Sequence, residues 1–360
     1  MPKSAAFLIF IKIMTFPIII IGAGLSGLTA AHLLKKENVK FLILEARERI
    51  GGRIFTEKTT THDNIEMGAT WFGFKHEHLR KLLDELKIGY FQQYNEGEST
   101  LVFNSMSPPH HFRADNSAPP SYRIANGSKA LIEKLAACLE EEIKTEITVT
   151  GLIDRDDHIE ITTAKGIFKA NKVILTMPPR LAEENINFHP PLDADLQTAM
   201  HTTPTWMEDA IKFGLTFKSP FWRESGKSGM VISQIAPVLE VYDHNNYDSD
   251  QFALVGFINP KLRSYEFAER KEQVISYLTD YLGVEVGNYL KYIEKDWSLD
   301  LNTAVEKNKV NMQPFYGNPI FKKPTMNGKL FCAGTETSPH YGGYMEGAVF
   351  SGFQTAQFLI

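Results

Sequence analysis

The chain has 360 residues, of which 43% are hydrophobic and 22% are charged, proportions typical of a globular protein with a full apolar core. Its formal net charge of −5, without a run of lysines or arginines, argues against nucleic acid or an anionic membrane as a partner. The two cysteines, Cys138 and Cys332, cannot build a disulfide framework or a metal site of the usual spacing, so we expect no metal ion and a cytoplasmic location.

The first 14 residues are apolar but differ from a signal peptide and from a membrane span. Lys12 interrupts the apolar run, no small-residue cleavage site follows it, and about 20 apolar residues are needed to cross a bilayer. We therefore expect a disordered leader or a mispredicted start, with Met14 as the alternative first residue.

The segment from Pro17 to Arg53 has the pattern of a strand, a glycine turn, a helix and a second strand. The β-branched run IIII indicates a buried parallel strand, and Gly22, Gly24 and Gly27 supply a GxGxxG turn after it. These glycines permit a tight turn, close approach of backbone amides to a pyrophosphate, and close packing of the helix on the strand. The order of elements predicts a dinucleotide site, with an ordinary βαβ crossover as the alternative.

A second glycine turn follows Glu45, which ends the second predicted strand and is expected to hold the ribose hydroxyls of an adenosine. In this turn Arg47 and Arg53 flank the pair Gly51 and Gly52. Guanidinium groups bind phosphate in a planar, bidentate geometry. The turn therefore suits the remaining phosphate and ribityl chain of FAD better than the nicotinamide end of NAD.

Four further blocks extend to the C-terminus: EMGATWFG at 66–73, YRIANGSKALIEKL at 122–135, KVILTMPPRL at 172–181 and FCAGTETSPHYGGYMEGAVFSGFQTA at 331–356. Together with the glycine turns, these blocks resemble the flavin-containing monoamine oxidase family, and the last is similar almost residue by residue. The resemblance implies an α/β fold of two domains, a Rossmann-like FAD-binding domain of the GxGxxG type and a mixed α+β substrate domain.

The motifs and the resemblance together predict FAD held non-covalently. The residues expected to contact it are Gly22, Gly24, Leu25, Ser26, Gly27, Glu45, Ala46, Arg47, Gly51, Gly52, Arg53, Gly68, Ala69, Thr70, Ile147, Gly334, Thr335, Glu336, Gly343, Tyr344, Met345 and Ala348.

Because the cofactor motifs lie at the beginning, near the middle and at the end of the chain, the FAD-binding domain must be discontinuous. We expect it to comprise residues 15–75, 122–180 and 325–360, with 76–121 and 181–324 forming the substrate domain. The stretch between Gly73 and Tyr122 is shorter than usual in this family, so we expect a more open substrate cavity. Within it, SMSPPHHF at 105–112 and NSAPPS at 116–121 are typical of proline-rich loops rather than of a helical subdomain.

The resemblance implies flavin chemistry, in which a hydride leaves the carbon next to the substrate nitrogen and water hydrolyses the resulting imine. The expected partners are a small amine and either oxygen or another electron acceptor. Tyr344 matches one member of the aromatic pair that holds the amine in this family. Trp71 and Trp297 are further candidates for the cavity wall, with simple core packing as the alternative.

Two departures from the family pattern concern catalysis. Many members carry a lysine after the Pro-Pro element that is linked to oxygen reactivity, and here Asn185 or Glu184 stands in its place, which predicts slow reoxidation. The family's flavin-bonding cysteine and second aromatic residue fall on Glu306 and Lys307. If Lys307 faces the cavity, it favours substrates with a carboxylate over simple amines, and the alternative is an exposed charged pair.

Two rival functions also fit the sequence. One is a flavin dehydrogenase or desaturase that acts on a hydrophobic substrate without an amine. The other is a flavin-binding protein without turnover, which the departures at Asn185 and in the short 76–121 stretch would favour.

Overall fold

A computed structural model describes residues 15–115, 117, 119–305 and 315–360. The predictions for the leader at 1–14, for Glu306 and for Lys307 lie outside the described residues and stay predictions.

The described part of the chain contains twenty strands, which form four sheets. In chain order the strands are β1 (Thr15–Ile21), β2 (Phe41–Leu44), β3 (Thr56–Glu57), β4 (Ile65–Glu66), β5 (Trp71–Gly73), β6 (Tyr90–Gln92), β7 (Glu98–Val102), β8 (His110–Arg113), β9 (Ser121–Ile124), β10 (Ile143–Lys144), β11 (Val149–Asp154), β12 (Ile159–Thr163), β13 (Gly166–Leu175), β14 (Asn187–His189), β15 (Ile211–Phe217), β16 (Lys227–Ser233), β17 (Val238–Asp243), β18 (Phe252–Ile258), β19 (Lys291–Asp296) and β20 (Leu330–Cys332).

The described residues also form eight α-helices, besides several short 3₁₀ turns. The helices are α1 (Leu25–Lys36), α2 (Glu77–Glu85), α3 (Lys129–Ala136), α4 (Pro179–Asn185), α5 (Ala194–Thr202), α6 (Phe221–Glu224), α7 (Phe267–Leu282) and α8 (Met345–Leu359).

The first sheet is built around the predicted strand, turn and helix. Its order is β10-β2-β1-β13-β12-β11-β14, with β20 also paired to β13. Strand β1 is parallel to both β2 and β13, and the fully buried Ile19 and Ile20 fit a strand that is covered on both faces. Helix α1 packs against α8, so the first and last cofactor motifs meet at the carboxyl ends of the parallel strands.

The second sheet has the order β19-β15-β18-β17-β16-β7-β8 and its two faces differ. On β15, Ile211, Phe213 and Leu215 pack into an apolar cluster with residues of α7. Lys212 and Gly214 alternate with them and therefore point to the opposite face. A Cβ on Gly214 would lie 2.7 Å from a side-chain carbon of Ile65, so this face packs closely against β4.

The stretch at 76–121 contains a helix and strands besides its proline-rich segments. Helix α2 forms because Leu79, Leu82 and Leu83 recur at helical spacing and are buried in the same cluster as the core of β1 and α1. Strands β7 and β8 form a hairpin at the edge of the second sheet, so the prediction of a loop over 105–112 is wrong from the exposed His110 onwards. This stretch thus contributes to both large units of structure, and the domain division stays a proposal.

In the described part of the chain, no helix is both long enough and apolar enough to span a membrane.

Candidate active site

One cavity of about 770 Å³ in the described part of the chain is lined by residues from both large sheets and from the C-terminal motif. It brings together most of the predicted cofactor residues. Those on its wall are Gly22, Gly24, Leu25, Ser26, Glu45, Ala46, Arg47, Gly51, Gly52, Arg53, Gly68, Ala69, Thr70, Ile147, Gly334, Thr335, Gly343, Tyr344, Met345 and Ala348. The other two, Gly27 and Glu336, are not among the residues that line it.

The glycine turn after β1 leaves room for a phosphate group. Gly22 has a φ of +107°, and a Cβ on Gly27 would lie 2.0 Å from the carbonyl oxygen of Gly22, so helix and strand touch directly. At the start of α1, Ser26 is buried and its Oγ has no hydrogen-bond partner although the residue lines the cavity. An unpartnered hydroxyl at a helix N-terminus fits an anionic ligand such as a pyrophosphate.

Glu45 is held in place at the end of β2 by two backbone amides. Its carboxylate accepts hydrogen bonds from Ala23 N at 2.8 Å and from Arg47 N at 2.9 Å, and the residue is 3% exposed. Because each carboxylate oxygen can accept more than one bond, the lone pairs that remain can accept from ribose hydroxyls in the cavity. Next to it, Ile147 N donates to Glu45 O at 2.8 Å, which places this residue at the same end of the cavity just before β11.

The two arginines of the second glycine turn form hydrogen bonds with side chains of the protein, Arg47 with Asp300 and Arg53 with Glu336. Arg47 Nη2 donates to Asp300 Oδ1 at 2.7 Å and to Thr303 Oγ1 at 2.8 Å. Gly52 has a φ of +59°, and a Cβ there would lie 3.3 Å from Gly24 Cα, so the two glycine turns are in contact. The second turn therefore contacts the first turn through Gly52 and is bonded to Asp300 and Thr303 through Arg47.

Glu336 was predicted to contact FAD, but it supports the wall of the cavity instead of lining it. Its carboxylate is fully buried and accepts hydrogen bonds from Arg53 Nη1 at 2.6 Å and Nη2 at 2.9 Å, and from Trp206 N at 3.1 Å. These bonds use both carboxylate oxygens, and so Glu336 positions Arg53 and Trp206.

Tyr344 lies on the cavity wall immediately before α8, and its side chain faces two other rings. The ring centroid of Trp206 is 5.8 Å away with an interplanar angle of 34°, and that of His76 is 5.6 Å away. Trp206 also lines the cavity, and a Cβ on Gly343 would lie 2.9 Å from its ring. Trp206 was not predicted, because an isolated tryptophan in a polar segment carries no periodic signal.

Trp71 and Trp297 both line the cavity, as proposed from the sequence, and both are fixed by hydrogen bonds. Trp71 Nε1 donates to Gln93 Oε1 at 2.7 Å, and Trp297 Nε1 donates to Met67 O at 2.7 Å. The ring of Trp71 also packs edge-on against Tyr242, with centroids 5.1 Å apart. Fixed indole rings give the cavity rigid apolar walls.

Asn185 also lines the cavity, at the end of α4, where its Nδ2 donates to Leu181 O at 3.0 Å.

The described residues include one group that could hold a metal ion, formed by Glu183, Glu184 and His201. None of these three side chains lines the cavity.

The position matched to the family's lysine holds no lysine, but Lys212 on β15 supports the cavity wall from behind without lining the cavity. Its Nζ donates to Gly68 O at 2.7 Å and to Thr70 Oγ1, and both residues line the cavity. Burial lowers the pKa of Lys212 to about 7, although the charge of Glu66 acts in the opposite direction. The alternation of apolar residues on β15 could have indicated Lys212, since it is a lysine within a buried strand.

Comparisons with known proteins agree with this geometry. A model of the flavin-containing amine oxidoreductases matches residues 87–360, and a model of NAD(P)-binding Rossmann-like domains matches residues 20–86. A flavin-containing amine oxidase of Oncorhynchus mykiss is 25% identical, and the match covers 95% of this chain and 85% of that protein. A probable flavin-containing monoamine oxidase A of Dictyostelium discoideum is 23% identical, with 95% and 97% covered.

The fold agrees with a solved structure as well. Wild-type putrescine oxidase bound to putrescine superimposes with a TM-score of 0.81 at 20% identity, and the match covers 96% of this chain and 99% of that one. The predicted Rossmann-like, two-domain fold and the FAD cofactor are thereby confirmed. The chain belongs to the flavin-containing amine oxidoreductase family and is an FAD-dependent oxidoreductase of the amine oxidase type.

Proposed function

We propose that this enzyme oxidises the C–N bond of a small amine, whose α-carbon loses a hydride and whose imine product is then hydrolysed. The observation that supports this proposal most strongly is that one cavity joins the glycine turns for FAD to the aromatic wall around Tyr344. Bound FAD would supply the hydride acceptor, and the protein would supply orientation and exclusion of water.

The residues that we propose to hold FAD follow from their positions on the wall. Ser26 and the backbone after Gly22 would hold the pyrophosphate, and Glu45 would hold the ribose hydroxyls. The first turn of α8, at Met345, would direct its N-terminal amides at the flavin end. Neither cysteine of the chain lines the cavity, which supports non-covalent attachment.

The aromatic side chains would bind and orient the substrate. Tyr344 and Trp206 form one wall, and Trp71 forms another together with Phe257, whose ring centroid is 6.5 Å from that of Trp71. Aromatic faces attract an amine cation and exclude water from the reacting carbon. The substrate must lose its ammonium proton before a hydride can leave, because a protonated nitrogen cannot stabilise the developing positive charge.

Lys212 is the group that we propose to exchange protons at this wall. With a pKa lowered by burial to about 7, its Nζ can accept or donate a proton near neutral pH. Its protonated form places a buried positive charge behind Thr70, where it would stabilise negative charge that develops when electrons pass on. We therefore propose oxygen as the electron acceptor.

Three further features belong to the same proposal. We propose the domain bounds given by the sequence motifs except for α2, which packs into the core of β1 and α1 and is assigned to the FAD-binding domain. The proposed location is cytoplasmic, as the sparse cysteines favour. Lys307 would act on substrates only if it faces the cavity, which stays a prediction.

The test is a visible spectrum of the purified protein followed by anaerobic mixing with primary and secondary amines. We expect loss of the oxidised flavin bands with at least one amine, and no loss with alcohols or alkanes of the same length. Flavin reduction only by non-amine substrates would favour a dehydrogenase or desaturase, and no reduction by any compound would favour a binding protein without turnover.

A further inference from the structure

A β-bulge in β17 turns one carboxylate into the cavity. The register of β17 against β18 shifts between Val238 and Glu240. Val238 and Val241 both lie in the apolar cluster beneath α7, whereas Glu240 pairs with Phe257, and both of these line the cavity. In a regular strand, residues 238 and 240 would share a face, so the bulge is the reason that Glu240 faces the cavity.

The side chains around Glu240 are aromatic, and its carboxylate receives one hydrogen bond from the described residues. Tyr242 OH donates to Glu240 Oε2 at 3.0 Å. Trp71 packs against both Tyr242 and Phe257 beside it. Within the described ranges this is the one hydrogen bond that the carboxylate receives, and it forms no ion pair there.

The other charged residues on the cavity wall are already paired. Arg47 binds Asp300, Arg53 binds Glu336, and Glu45 is held by two backbone amides. Lys212 does not itself line the cavity but lies across Phe257 from Glu240 in the strand register, and the charge of Glu240 favours its protonated form. The two form no ion pair, because Lys212 Nζ donates to Gly68 O and Thr70 Oγ1. Among the described residues that line the cavity, Glu240 is thus the charged side chain that forms no ion pair.

We propose that Glu240 binds a second ammonium group of the substrate, which makes diamines and longer polyamines the preferred substrate class. This inference rests on the proposed amine oxidation, with the reacting amine near Tyr344 and the distal ammonium group at Glu240. The methylene chain between the two nitrogens would pack on Trp71 and Phe257. A carboxylate in an apolar cavity discriminates strongly for a cation because little water screens the charge.

Two ligands of equal length isolate the contribution of the second charge. The compound 1,5-diaminopentane and 1-aminohexane differ only in whether the far end is an ammonium or a methyl group. We would measure the rate of anaerobic flavin reduction against the concentration of each. The wild-type protein should reach half its maximal rate at a diamine concentration about ten-fold or more below that for the monoamine.

Substitutions at Glu240 then test the residue itself. Glu240→Gln should raise the half-saturating diamine concentration by about ten-fold or more and leave that of 1-aminohexane within about two-fold. Glu240→Asp keeps the charge and should keep the preference. Glu272→Gln is the matched control, because Glu272 is an exposed acid on α7, beyond the opposite face of the sheet.

The outcomes separate this inference from the proposed function. If 1-aminohexane reduces the flavin but Glu240→Gln leaves the preference between the two amines unchanged, Glu240 does not select substrates, while amine oxidation still stands. A wild-type preference for norleucine over the diamine would also overturn the inference and would support Lys307 as the selecting residue. If no amine reduces the flavin, both proposals fail.

Discussion

Lys212 lies with its Nζ 5.1 Å from the centroid of the Trp71 ring and 5.3 Å from that of Phe257. A buried strand of the second sheet therefore places a cation directly behind the aromatic wall of the cavity. Glu66 is also fully buried, and its charge favours the protonated form of Lys212, whereas burial has the larger and opposite effect.

Lys212 should make the stability of the protein depend on pH. Burial lowers its folded-state pKa from 10.5 to about 7. Between these values the unfolded chain binds a proton that the folded chain does not, so the stability contribution of Lys212 rises with pH. The cost of burying the charge is fully present below pH 7 and is lost as the pH approaches 10.5.

The measurement is urea unfolding of the wild-type protein and of Lys212→Met at several pH values from about 7 to 10. We expect the free energy of unfolding of the variant, relative to wild type, to fall as the pH rises. Lys218→Met is the control, because Lys218 is exposed just after the same strand. A difference that stays constant with pH would show that Lys212 keeps an ordinary pKa.

Lys212→Met should also slow the reaction of the reduced flavin with oxygen. The buried positive charge would stabilise the negative charge that passes to oxygen, and removal of such a group typically costs about 10²-fold or more in rate. Stopped-flow mixing of the reduced protein with oxygenated buffer measures this rate. An unchanged rate in the variant would show that other groups promote the oxygen reaction. A slow rate in the wild-type protein would instead agree with the slow reoxidation predicted from Asn185.

Removal of the Glu45 side chain should weaken FAD binding. A hydrogen bond to a charged group contributes about 1.5–3 kcal/mol, so Glu45→Ala should purify largely without flavin. Glu45→Gln keeps the size of the side chain and should show a smaller loss. Glu48→Ala, at an exposed position three residues later, is the control, and flavin titration followed by fluorescence gives the dissociation constants.

The flavin should leave the protein when it is denatured. Cys332 lies at the end of β20, and burial raises its pKa to about 12, which keeps the thiol protonated and unreactive. Cys138 is exposed and is not on the cavity wall. Acid precipitation should therefore release all yellow colour as FAD, and colour that remains in the pellet would show a covalent bond through another residue.

The local cofactor motif was predictable from sequence because its chemistry is local. Gly22 and Gly24 are two residues apart in the chain, and Glu45 follows one helix and one strand later, so a single βαβ unit is enough to bring them together. The C-terminal block around Tyr344 was recognised by its similarity to a family, whereas the packing of its helix α8 against α1 was seen only in the structure.

The substrate side of the cavity depended on the tertiary structure. Lys212 and Glu240 are 28 residues apart and meet at Phe257 only through the pairing of three strands. The direction of Glu240 depends on a single bulge, and a shift of one residue would place it under α7 instead. Strand register and bulges are set by long-range packing, and for that reason the sequence predicted the cofactor but not the residues that select the substrate.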